Sequence, residues 1–569
     1  MNEFIVELPL SERVAGLTGL FVTKPEIELQ FDEPDYEFLA WGDPIGGDAF
    51  RERLSEKSSP EFIVTNLYGH YYFIYLNKKS GDLVTGNSLF SILPLYYHCC
   101  NEKITISGNA LTLGNYLGSD KVCKRFILET ILFNYPLFNN SIFQDIELIP
   151  ANTCIIISNH KFSLQKHTET VNFFGKELLP WKEAIKTVPD RFLETTYKYL
   201  PSEHYASALT GGFDSRTLVS AGLFFNRDFS TYSFGTETSK DVTIAGALSA
   251  AAGLQCNKIV LGEEYIKHKS LECGKEFILN SSGAATFARA HYLYAAKKLS
   301  SDFGHILTGN FGSELFRAMH ITGVVISENL FSLFNSEATY KAFRSIEASE
   351  EYRCLAKESF NEEWKSLKAE ILGLSCFSPD YSGMTMNQRF YVFVFEEIFR
   401  KYFGAEMVNQ FRYMKNRTPY LDIDFLKTVF QTELAGIYSD FFEHNPLKRY
   451  RGQVLYAHII RKSYPSFGKT VTDKGYKPDD LINFSGKINI TRSYLKKKIR
   501  KLPSDTDPNS VARAWEANRN YWTMMPISKE FFAMNKFTAP INKEILNKVL
   551  SLSFLINFLS QKCQDASKN

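Results

Sequence analysis

Residues from about 205 to 309 alternate between strand-like and helical runs, and this alternation constrains the fold more than any other feature. The strand-like runs are Tyr205–Leu209, Phe229–Gly235, Asn257–Leu261 and His305–Gly309, and the helical runs between them are Thr217–Leu223, Asp241–Ala252 and Thr286–Leu299. Such alternation predicts a parallel sheet with helices on both faces. Ligands bind beyond the carboxyl ends of the strands in such sheets, so the polar turns at those ends are expected to converge on one site.

A Gly-Gly turn, Thr210–Ser215, joins the first of these strands to its helix. Its glycines let the backbone turn sharply and bring N–H groups close to a ligand, and the helix N-terminus adds partial positive charge. Thr210 and Ser215 supply hydroxyl groups. Asp214 would repel a phosphate unless a divalent cation lay between them. On these residues alone, a phosphate site with a cation and an ordinary turn with Asp214 as a helix cap are equally good interpretations.

The composition limits the classes of function. A chain of 569 residues, of which 44% are hydrophobic, is long enough for two or three globular domains. The net charge of +2 gives no electrostatic case for a nucleic-acid or membrane partner. Nine cysteines without a CxxC pair are typical of reduced thiols. Without a leader pattern or an apolar run near the ~18 residues of a membrane span, a soluble, cytoplasmic protein is expected.

The first 180 or so residues have a pattern that predicts an antiparallel sheet with some helix. Strand-like runs rich in β-branched and aromatic residues are Glu61–Val64, Tyr71–Leu76, Leu83–Thr85, Leu95–His98, Ile104–Ser107 and Thr153–Ser158. A helical pattern lies at Cys123–Leu132. Residues 325–480 are predicted to form helices with loops, and the residues after them to be helical. The densest basic run, Lys496–Lys501, is interpreted as a solvated helix face.

Several motifs, in order, resemble the asparagine synthetase-like branch of the ATP pyrophosphatases. The turn Thr210–Ser215 resembles that family's Ser-Gly-Gly-x-Asp-Ser pyrophosphate loop. Phe234-Gly235 and the Ala-rich helix after it resemble the family's second strand and helix. Thr308–Phe316 resembles its Ser-Gly-x-Gly-x-Asp-Glu-Leu-Phe motif, and Arg417–Asp422 resembles its Arg-x-Pro-Phe-Leu-Asp motif.

The first part of the chain resembles the glutaminase-type domain of the same family. Gly69–Ile74 and Leu93–Tyr97 look like its Gly-x-Phe and Pro-Leu-Tyr-Tyr signatures, and Ser141–Ile146 looks like its closing stretch. The resemblance implies an α/β protein with an N-terminal α+β sandwich of the Ntn type and a C-terminal parallel sheet like that of adenine-nucleotide α-hydrolases. The implied domains are an inactive glutaminase-like domain at 1–180, an ATP-binding synthetase domain at 181–480 and a helical extension at 481–569.

The resemblance also implies a chemistry. Family members bind ATP and Mg²⁺, adenylate a carboxylate, release pyrophosphate and let an amine attack the acyl-adenylate, so a small-molecule or peptide carboxylate and an amine are the expected partners. Asp214 is implied to bind Mg²⁺, Asn310 to order the amine by hydrogen bonding, and Lys474, ahead of Lys469 and Lys477, to stabilise the transition state. The residues implied to bind ATP or pyrophosphate are Leu209, Thr210, Gly211, Gly212, Phe213, Asp214, Ser215, Phe234, Gly235, Thr308 and Gly309.

Departures from the family pattern sharpen these expectations. Asn2 stands where glutaminase domains have a nucleophilic cysteine, so no glutamine hydrolysis is expected. Ser313 replaces the second metal-binding aspartate, and Ser313, Glu314 and Asp241 are the weaker candidates for a second metal ligand. Lys415 stands where the family has a glutamate.

Two functions remain open at this point. The first is an ATP-dependent, amide-forming ligase without glutamine hydrolysis, in a tailoring role such as peptide macrocyclisation or amidation of a small or sugar carboxylate. The second is a non-catalytic nucleotide-binding or scaffold protein, for which Ser313, Asn310 and Lys415 argue. The intact Gly-Gly loop favours the ligase. Nothing in the sequence favours a particular oligomeric state.

Overall fold

The fold is mixed α/β, as the sequence predicts, with antiparallel and parallel sheets and many helices. The computed structural model describes residues 2–317, 325–335, 339–377, 383–439, 451–483, 485–499, 507–533 and 542–566. The strands are β1 (Ile5–Pro9), β2 (Phe21–Thr23), β3 (Leu29–Asp32), β4 (Tyr36–Ile45), β5 (Tyr68–Asn77), β6 (Leu83–Asn87), β7 (Tyr96–Cys99), β8 (Lys103–Ser107), β9 (Glu147–Leu148), β10 (Thr153–Ser158), β11 (Lys161–Lys166), β12 (Tyr205–Ala208), β13 (Phe229–Gly235), β14 (Cys256–Val260), β15 (His305–Leu307) and β16 (Lys415–Arg417).

Helices fill the intervals between the strands and most of the chain after residue 310. They are α1 (Gly47–Arg51), α2 (Pro60–Asn66), α3 (Ala110–Leu117), α4 (Lys124–Phe133), α5 (Trp181–Tyr199), α6 (Asp214–Phe224), α7 (Lys240–Ala251), α8 (Ser270–Asn280), α9 (Ala290–Leu299), α10 (Gly312–Phe316), α11 (Glu328–Asn335), α12 (Thr339–Ala348), α13 (Glu350–Arg353), α14 (Lys357–Gly373), α15 (Met386–Phe393), α16 (Gly404–Phe411), α17 (Ile423–Phe430), α18 (Gln453–Ser463), α19 (Pro465–Gly468), α20 (Gly486–Ile499), α21 (Val511–Ala517), α22 (Arg519–Met524) and α23 (Lys543–Ala566). Two π-helical segments, Tyr265–Lys269 and Val394–Phe403, precede α8 and α16.

The strands before residue 167 form two antiparallel sheets that share a core. Their strand orders are β2-β1-β8-β7-β9 and β11-β10-β6-β5-β4-β3. The Phe4 ring lies 4.9 Å from the Trp41 ring and 5.0 Å from the Tyr72 ring, so it joins the first sheet to the second. On the second sheet's other face, α1 and α2 contribute Phe50 and Ile63 to a separate core cluster. These rings are among the 15% of residues that are aromatic, and their packing contributes to this core.

Most strand predictions in this part are confirmed, but the prediction of a strand at Glu61–Val64 is wrong. These residues lie in the helix α2. Ser59 caps this helix by accepting the Phe62 N–H at 3.2 Å, and Pro60 occupies the first helical position, where its missing N–H costs nothing. The Ser-Pro start signal therefore outweighs the β propensity of the apolar residues.

A five-stranded parallel sheet forms the centre of the second part of the chain. Its order is β14-β13-β12-β15-β16, and every neighbouring pair is parallel. Alternate residues belong to different cores: Tyr205 and Leu307 are in a cluster that includes residues of α5, α6 and α18, whereas Ala206 and Ile306 are in one that includes residues of α8 and α9. Helices thus cover both faces, as the alternation of strands and helices predicts.

The helix α23 packs against helices from both earlier parts of the chain. The Lys548 ammonium donates to the carbonyl of Ile131 in α4 at 2.7 Å, and the Ser551 hydroxyl accepts the Phe287 N–H at 3.2 Å. The domain boundaries at residues 180 and 480 stay predictions. Within the described ranges, no helix combines the length and the apolar character that crossing a bilayer requires. The side chains of eight of the nine cysteines are described, and all eight are free thiols.

Candidate active site

Three polar turns meet at the carboxyl edge of the parallel sheet. The turns follow β12, β13 and β15. The Gly211 N–H donates to a carboxylate oxygen of Asp241 at 3.0 Å. The Ser313 hydroxyl donates to a carboxylate oxygen of Asp214 at 2.7 Å. These two bonds connect the second and third turns to the first, so the predicted site residues on them are brought together.

Asp214 begins α6 and accepts hydroxyl groups from three directions. Ser313 bonds one carboxylate oxygen, and the Tyr456 hydroxyl donates to the other. The Tyr420 hydroxyl donates to the Asp214 carbonyl at 2.8 Å. A Cβ added at Gly309 would lie 2.9 Å from the Cβ of Asp214, so a side chain there would displace the carboxylate. The position of Asp214 is therefore fixed before any ligand arrives.

The Gly-Gly loop is closed by its own hydroxyl groups. Ser215 Oγ accepts the Thr210 N–H at 3.0 Å and lies 3.0 Å from Thr210 Oγ1. Thr210 Oγ1 in turn accepts the Gly212 N–H at 3.2 Å. The two hydroxyl groups that the sequence offered as ligand donors therefore shape the loop. An anion bound here would gain the Gly211 N–H only by replacing its bond to Asp241.

A cavity of about 120 Å³ lies beside this loop. Gly212, Asp214 and Ser313 form one side of it, and Asp473 and Lys474 form another. These residues come from three segments that are distant in sequence. The cavity therefore combines loop backbone, a carboxylate and a lysine in one place.

Lys474 is the lysine that the structure brings to the cavity. It is half-buried, and its ammonium lies 5.2 Å from the centre of the Phe213 ring. Lys469 and Lys477 are exposed and do not line the cavity, although both are described. Of these three lysines, Lys474 is therefore the one that lines the cavity.

Arg216, on α6, is hydrogen-bonded to the segment that carries Lys474. Its guanidinium is fully buried and donates, at 3.2, 2.7 and 3.3 Å, to the carbonyls of Phe467, Thr470 and Val471. The Asp473 N–H donates to the Gly211 carbonyl at 3.0 Å. Burial lowers the pKa of Arg216 to about 10, so the side chain stays charged at neutral pH. The helix that presents Asp214 thus also positions the segment that carries Lys474.

Glu314 is a second buried carboxylate close to Asp214. Burial raises the pKa of Glu314 to about 7, and the Asp214 charge acts in the same direction while Arg317 opposes it. Burial also raises the pKa of Asp241, with the Gly211 N–H opposing. Both groups are therefore protonated more readily than ordinary carboxylates.

The fit of Mg²⁺ depends on Asp214. Among the residues that the structure describes, no three His, Cys, Asp or Glu side chains are grouped so as to hold a metal ion. Ser313 is a hydrogen-bond donor to Asp214, and Asp241 is bonded to the loop backbone. Mg²⁺ is commonly held by one or two carboxylates together with phosphate oxygens and water. Asp214 fits as a single protein ligand to an ion that a nucleotide brings with it.

Asn310 belongs to a network of polar side chains around the buried Glu406. Its amide donates to one carboxylate oxygen of Glu406 at 3.1 Å, and Arg289 pairs with the other oxygen at 3.0 Å. Gln410 also donates to Glu406, at 3.2 Å. Burial raises the pKa of Glu406 against the opposing effect of Arg289. The Asn310 carbonyl accepts the Thr418 hydroxyl at 2.9 Å, so both ends of Asn310 are fixed.

The remaining predicted residues lie at the strand ends: Leu209, Phe234, Gly235 and Thr308. Leu209 is fully buried, and its N–H donates to the Tyr232 carbonyl at 2.9 Å. The Thr308 hydroxyl donates to the Asn416 side chain at 2.7 Å. The Leu209 N–H and the Thr308 hydroxyl therefore hold the framework at this edge of the sheet.

Four residues of the site are not predicted from the sequence: Arg216, Glu406, Tyr456 and Asp473. Arg216 and Glu406 carry a recognisable signal, because each is a charged residue inside an otherwise apolar helical run. Tyr456 and Asp473 carry none, since they reach the loop only through the tertiary packing of α18 and the segment after α19.

Comparison with known proteins gives one weak sequence relative. No protein-family model matches the chain. The glutamine-hydrolyzing asparagine synthetase 1 of Bacillus subtilis (strain 168) is 23% identical over 271 residues, which span 46% of this chain and 41% of that protein. The match therefore spans less than half the length of that relative.

Comparison with solved structures gives only a slight likeness. The glutamine phosphoribosylpyrophosphate amidotransferase of B. subtilis, in complex with ADP and GMP, is 6% identical and has a TM-score of 0.17 over 40% of this chain and 47% of its own. A likeness of that size does not bear on the fold. The sequence similarity, weak as it is, supports an asparagine synthetase-like family for this chain.

Proposed function

We propose that this chain is an ATP-dependent, amide-forming ligase that activates a carboxylate as an acyl-adenylate and releases AMP and pyrophosphate. One observation carries the proposal: the Gly-Gly loop, Asp214 and Lys474 border the same cavity. The similarity to an asparagine synthetase supports the use of ATP and the formation of an amide.

Each of these groups suits one part of the reaction. The loop backbone and the N-terminus of α6 would bind the pyrophosphate that leaves. The Lys474 ammonium would stabilise the negative charge that develops on the phosphates during adenylation. Asp214 would hold Mg²⁺ together with the nucleotide phosphates, and the ion would offset their charge. The Asn310 amide, fixed by Glu406, would orient the attacking amine by a hydrogen bond.

We also propose that the ligase does not hydrolyse glutamine. Asn2 is 3% exposed, and its amide atoms have no hydrogen-bond partner in the described part of the chain. An amide is not a nucleophile of the thiol or hydroxyl kind. The amine would therefore come from a substrate or from free ammonia, as in peptide macrocyclisation or amidation of a small or sugar carboxylate.

A non-catalytic nucleotide-binding or scaffold protein is the second candidate. Both carboxylate oxygens of Asp214 already accept hydroxyl groups, and the Gly211 N–H is bonded to Asp241. A site that keeps these internal bonds would hold a nucleotide without turning it over.

The two candidates differ in ATP turnover. The protein is incubated with Mg²⁺, ATP and a panel of carboxylates and amines, and AMP and pyrophosphate are measured. We expect turnover to fall at least about 100-fold in Asp214→Asn and in Lys474→Ala. Lys469→Ala, the same change at an exposed lysine nearby, should leave the rate unchanged.

Binding of ATP without turnover over the whole panel would favour the non-catalytic candidate. Equal rates for Lys474→Ala and Lys469→Ala would remove Lys474 from the mechanism. Release of glutamate from glutamine above background would contradict the proposal for Asn2.

A further inference from the structure

A second cavity, of about 500 Å³, lies next to the network of polar side chains around Glu406. Glu406 connects the two places, because one of its oxygens accepts the Asn310 amide and the other pairs with Arg289, which lines this cavity. The volume falls in the range of small-molecule sites, roughly 300–1,000 Å³. None of the described residues 209–215 lines it, so it is distinct from the cavity at the loop.

The walls of this cavity are rich in aromatic rings. Trp515 and Trp522, from α21 and α22, stack with their centres 4.8 Å apart. Arg289 and Tyr402 also line the cavity, and the Arg289 guanidinium lies 4.2 Å from the centre of the Tyr402 ring. The cavity therefore offers ring faces and edges against which a flat apolar group can pack.

Three lining side chains carry buried polar atoms without a hydrogen-bond partner. They are Arg289 at Nε, His291 at a ring nitrogen, with its ring otherwise bonded to the Ala288 backbone, and Asn547 at Oδ1. Arg289 and His291 are 6% and 5% exposed. Burial lowers the pKa of His291 to about 3, so its neutral ring has one donor and one acceptor. Unpaired buried groups of this kind are uncommon, and each one is satisfied when a ligand supplies the missing partner.

The charges on the wall exclude some ligands. The Arg289 guanidinium pairs with Glu406 at 3.0 Å, and the buried Lys548 ammonium pairs with Glu351 at 3.9 Å. The exposed Lys543 and Glu544 and the half-buried Asp507 also line the cavity, so its wall carries charges of both signs and does not call for a carboxylate. The polar atoms without partners need a neutral group that donates and accepts, such as a phenol hydroxyl or an amide. An aliphatic chain would leave them unpaired, which costs free energy on binding.

We propose that this cavity binds an uncharged aromatic group of the substrate, one that carries a hydroxyl or N–H. The inference rests on the proposed ligase function and names its substrate class, an aromatic carboxylic acid or an aromatic residue of a peptide.

Binding of simple aryl acids without ATP tests the cavity separately from the ligase reaction. The probes are para-hydroxyphenylacetate, phenylacetate and hexanoate, followed by calorimetry and by tryptophan fluorescence, since two of the five tryptophans line the cavity. We expect para-hydroxyphenylacetate to bind about tenfold more tightly than phenylacetate, because only its hydroxyl satisfies the buried groups. Hexanoate should bind more weakly than either.

The variants locate the site. In His291→Leu the advantage of para-hydroxyphenylacetate over phenylacetate should disappear, and His291→Gln should restore most of it. Trp522→Leu should weaken both aryl acids, and His268→Leu, the same change at an exposed histidine, should weaken neither. Thermal melts followed by circular dichroism show that each variant is folded, and Trp522→Leu carries the test if His291→Leu is not.

Equal affinity for all three acids, or an unchanged advantage of the hydroxyl in folded His291→Leu, would overturn the inference. Competition by adenosine would also overturn it, since the cavity would then belong to the nucleotide. Aryl acids that bind here without AMP release under turnover conditions would leave the cavity assignment in place and contradict the ligase. Release of AMP with other carboxylates, together with no binding of aryl acids, would support the ligase and contradict the cavity assignment.

Discussion

Single hydroxyl groups hold Asp214 in place at the candidate site. Ser313, Tyr456 and Tyr420 each donate to one of its oxygen atoms. The sequence points to Ser313 as a candidate metal ligand, whereas the structure shows it as a donor to Asp214. Composition does not reveal that role, because a serine hydroxyl serves both purposes equally well.

Buried histidines should make the protein sensitive to acid, and His70 is one of them. Burial lowers the pKa of His70 to about 4, against the opposing charge of Asp43, so the ring is neutral in the folded chain. A depressed histidine pKa contributes stability that is present above the unfolded value of 6.5 and is lost as the pH falls toward 4. We expect the wild type to lose about 2 kcal/mol of unfolding free energy from this group between pH 7 and pH 5.

Urea denaturation at the two pH values measures this loss. His70→Phe, which keeps a ring against Phe411, should lose less on acidification than the wild type by that amount. His268→Phe, a matched change at an exposed histidine, should behave like the wild type. An equal loss in His70→Phe and wild type would show that His70 is not the responsible group.

At the scale of elements, α6 and the segment from Phe467 to Lys474 act as one unit. Arg216 on α6 donates to three carbonyls of this segment, and the Asp473 N–H returns a bond to the loop. A guanidinium satisfies several carbonyls at once because its donors form a fixed planar fork. The lysine at the cavity is therefore positioned by main-chain bonds that begin at the helix of Asp214.

Arg216→Lys should loosen this segment without unfolding the chain. A lysine keeps the charge but does not reproduce the planar fork, so we expect amide hydrogen exchange at residues 470–474 to speed up about tenfold or more. Exchange in α5 and β12 should not change. Arg191→Lys, on the surface of α5, is the matched control, and unchanged exchange at Asp473 in Arg216→Lys would refute the role of Arg216.

Local sequence patterns predict the strands and helices better than they predict the residues of the candidate active site. The alternation around β12, β13 and β15 is long enough for the strand and helix periods to differ clearly, so the parallel sheet and its polar edge are predictable. The apolar run Glu61–Val64 is too short for its pattern to distinguish a strand from a helix. The helix start signal Ser59-Pro60 makes it a helix. Contacts such as Arg289 with Glu406 join segments more than 100 residues apart, and no local pattern encodes them.

At the scale of the whole molecule, one buried ion pair connects the antiparallel sheets to the parallel sheet. Arg417, at the end of β16, donates twice to Asp43 of β4, at 2.7 and 2.8 Å. Asp43 is 2% exposed. Arg417 belongs to the Arg-x-Pro motif beside the site, so the pair links the site's framework to the first part of the chain.

Asp43→Asn should weaken this connection. It leaves a partly buried guanidinium without its counter-charge, which we expect to cost about 3 kcal/mol of unfolding free energy. Chemical denaturation followed by near-UV circular dichroism measures it, with Asp48→Asn, an exposed aspartate of α1, as the control. Equal stability of the two variants would mean that the pair contributes nothing.

The aromatic cavity has consequences for how the protein is made. One wall comes from Arg289 and His291, and the opposite wall from Trp515, Trp522 and α23, which are translated more than 200 residues later. A chain that has been translated only as far as the parallel sheet therefore lacks the tryptophans that line this cavity. If the cavity selects the substrate as proposed, a chain truncated before α21 would keep the Gly-Gly loop and lose that selection.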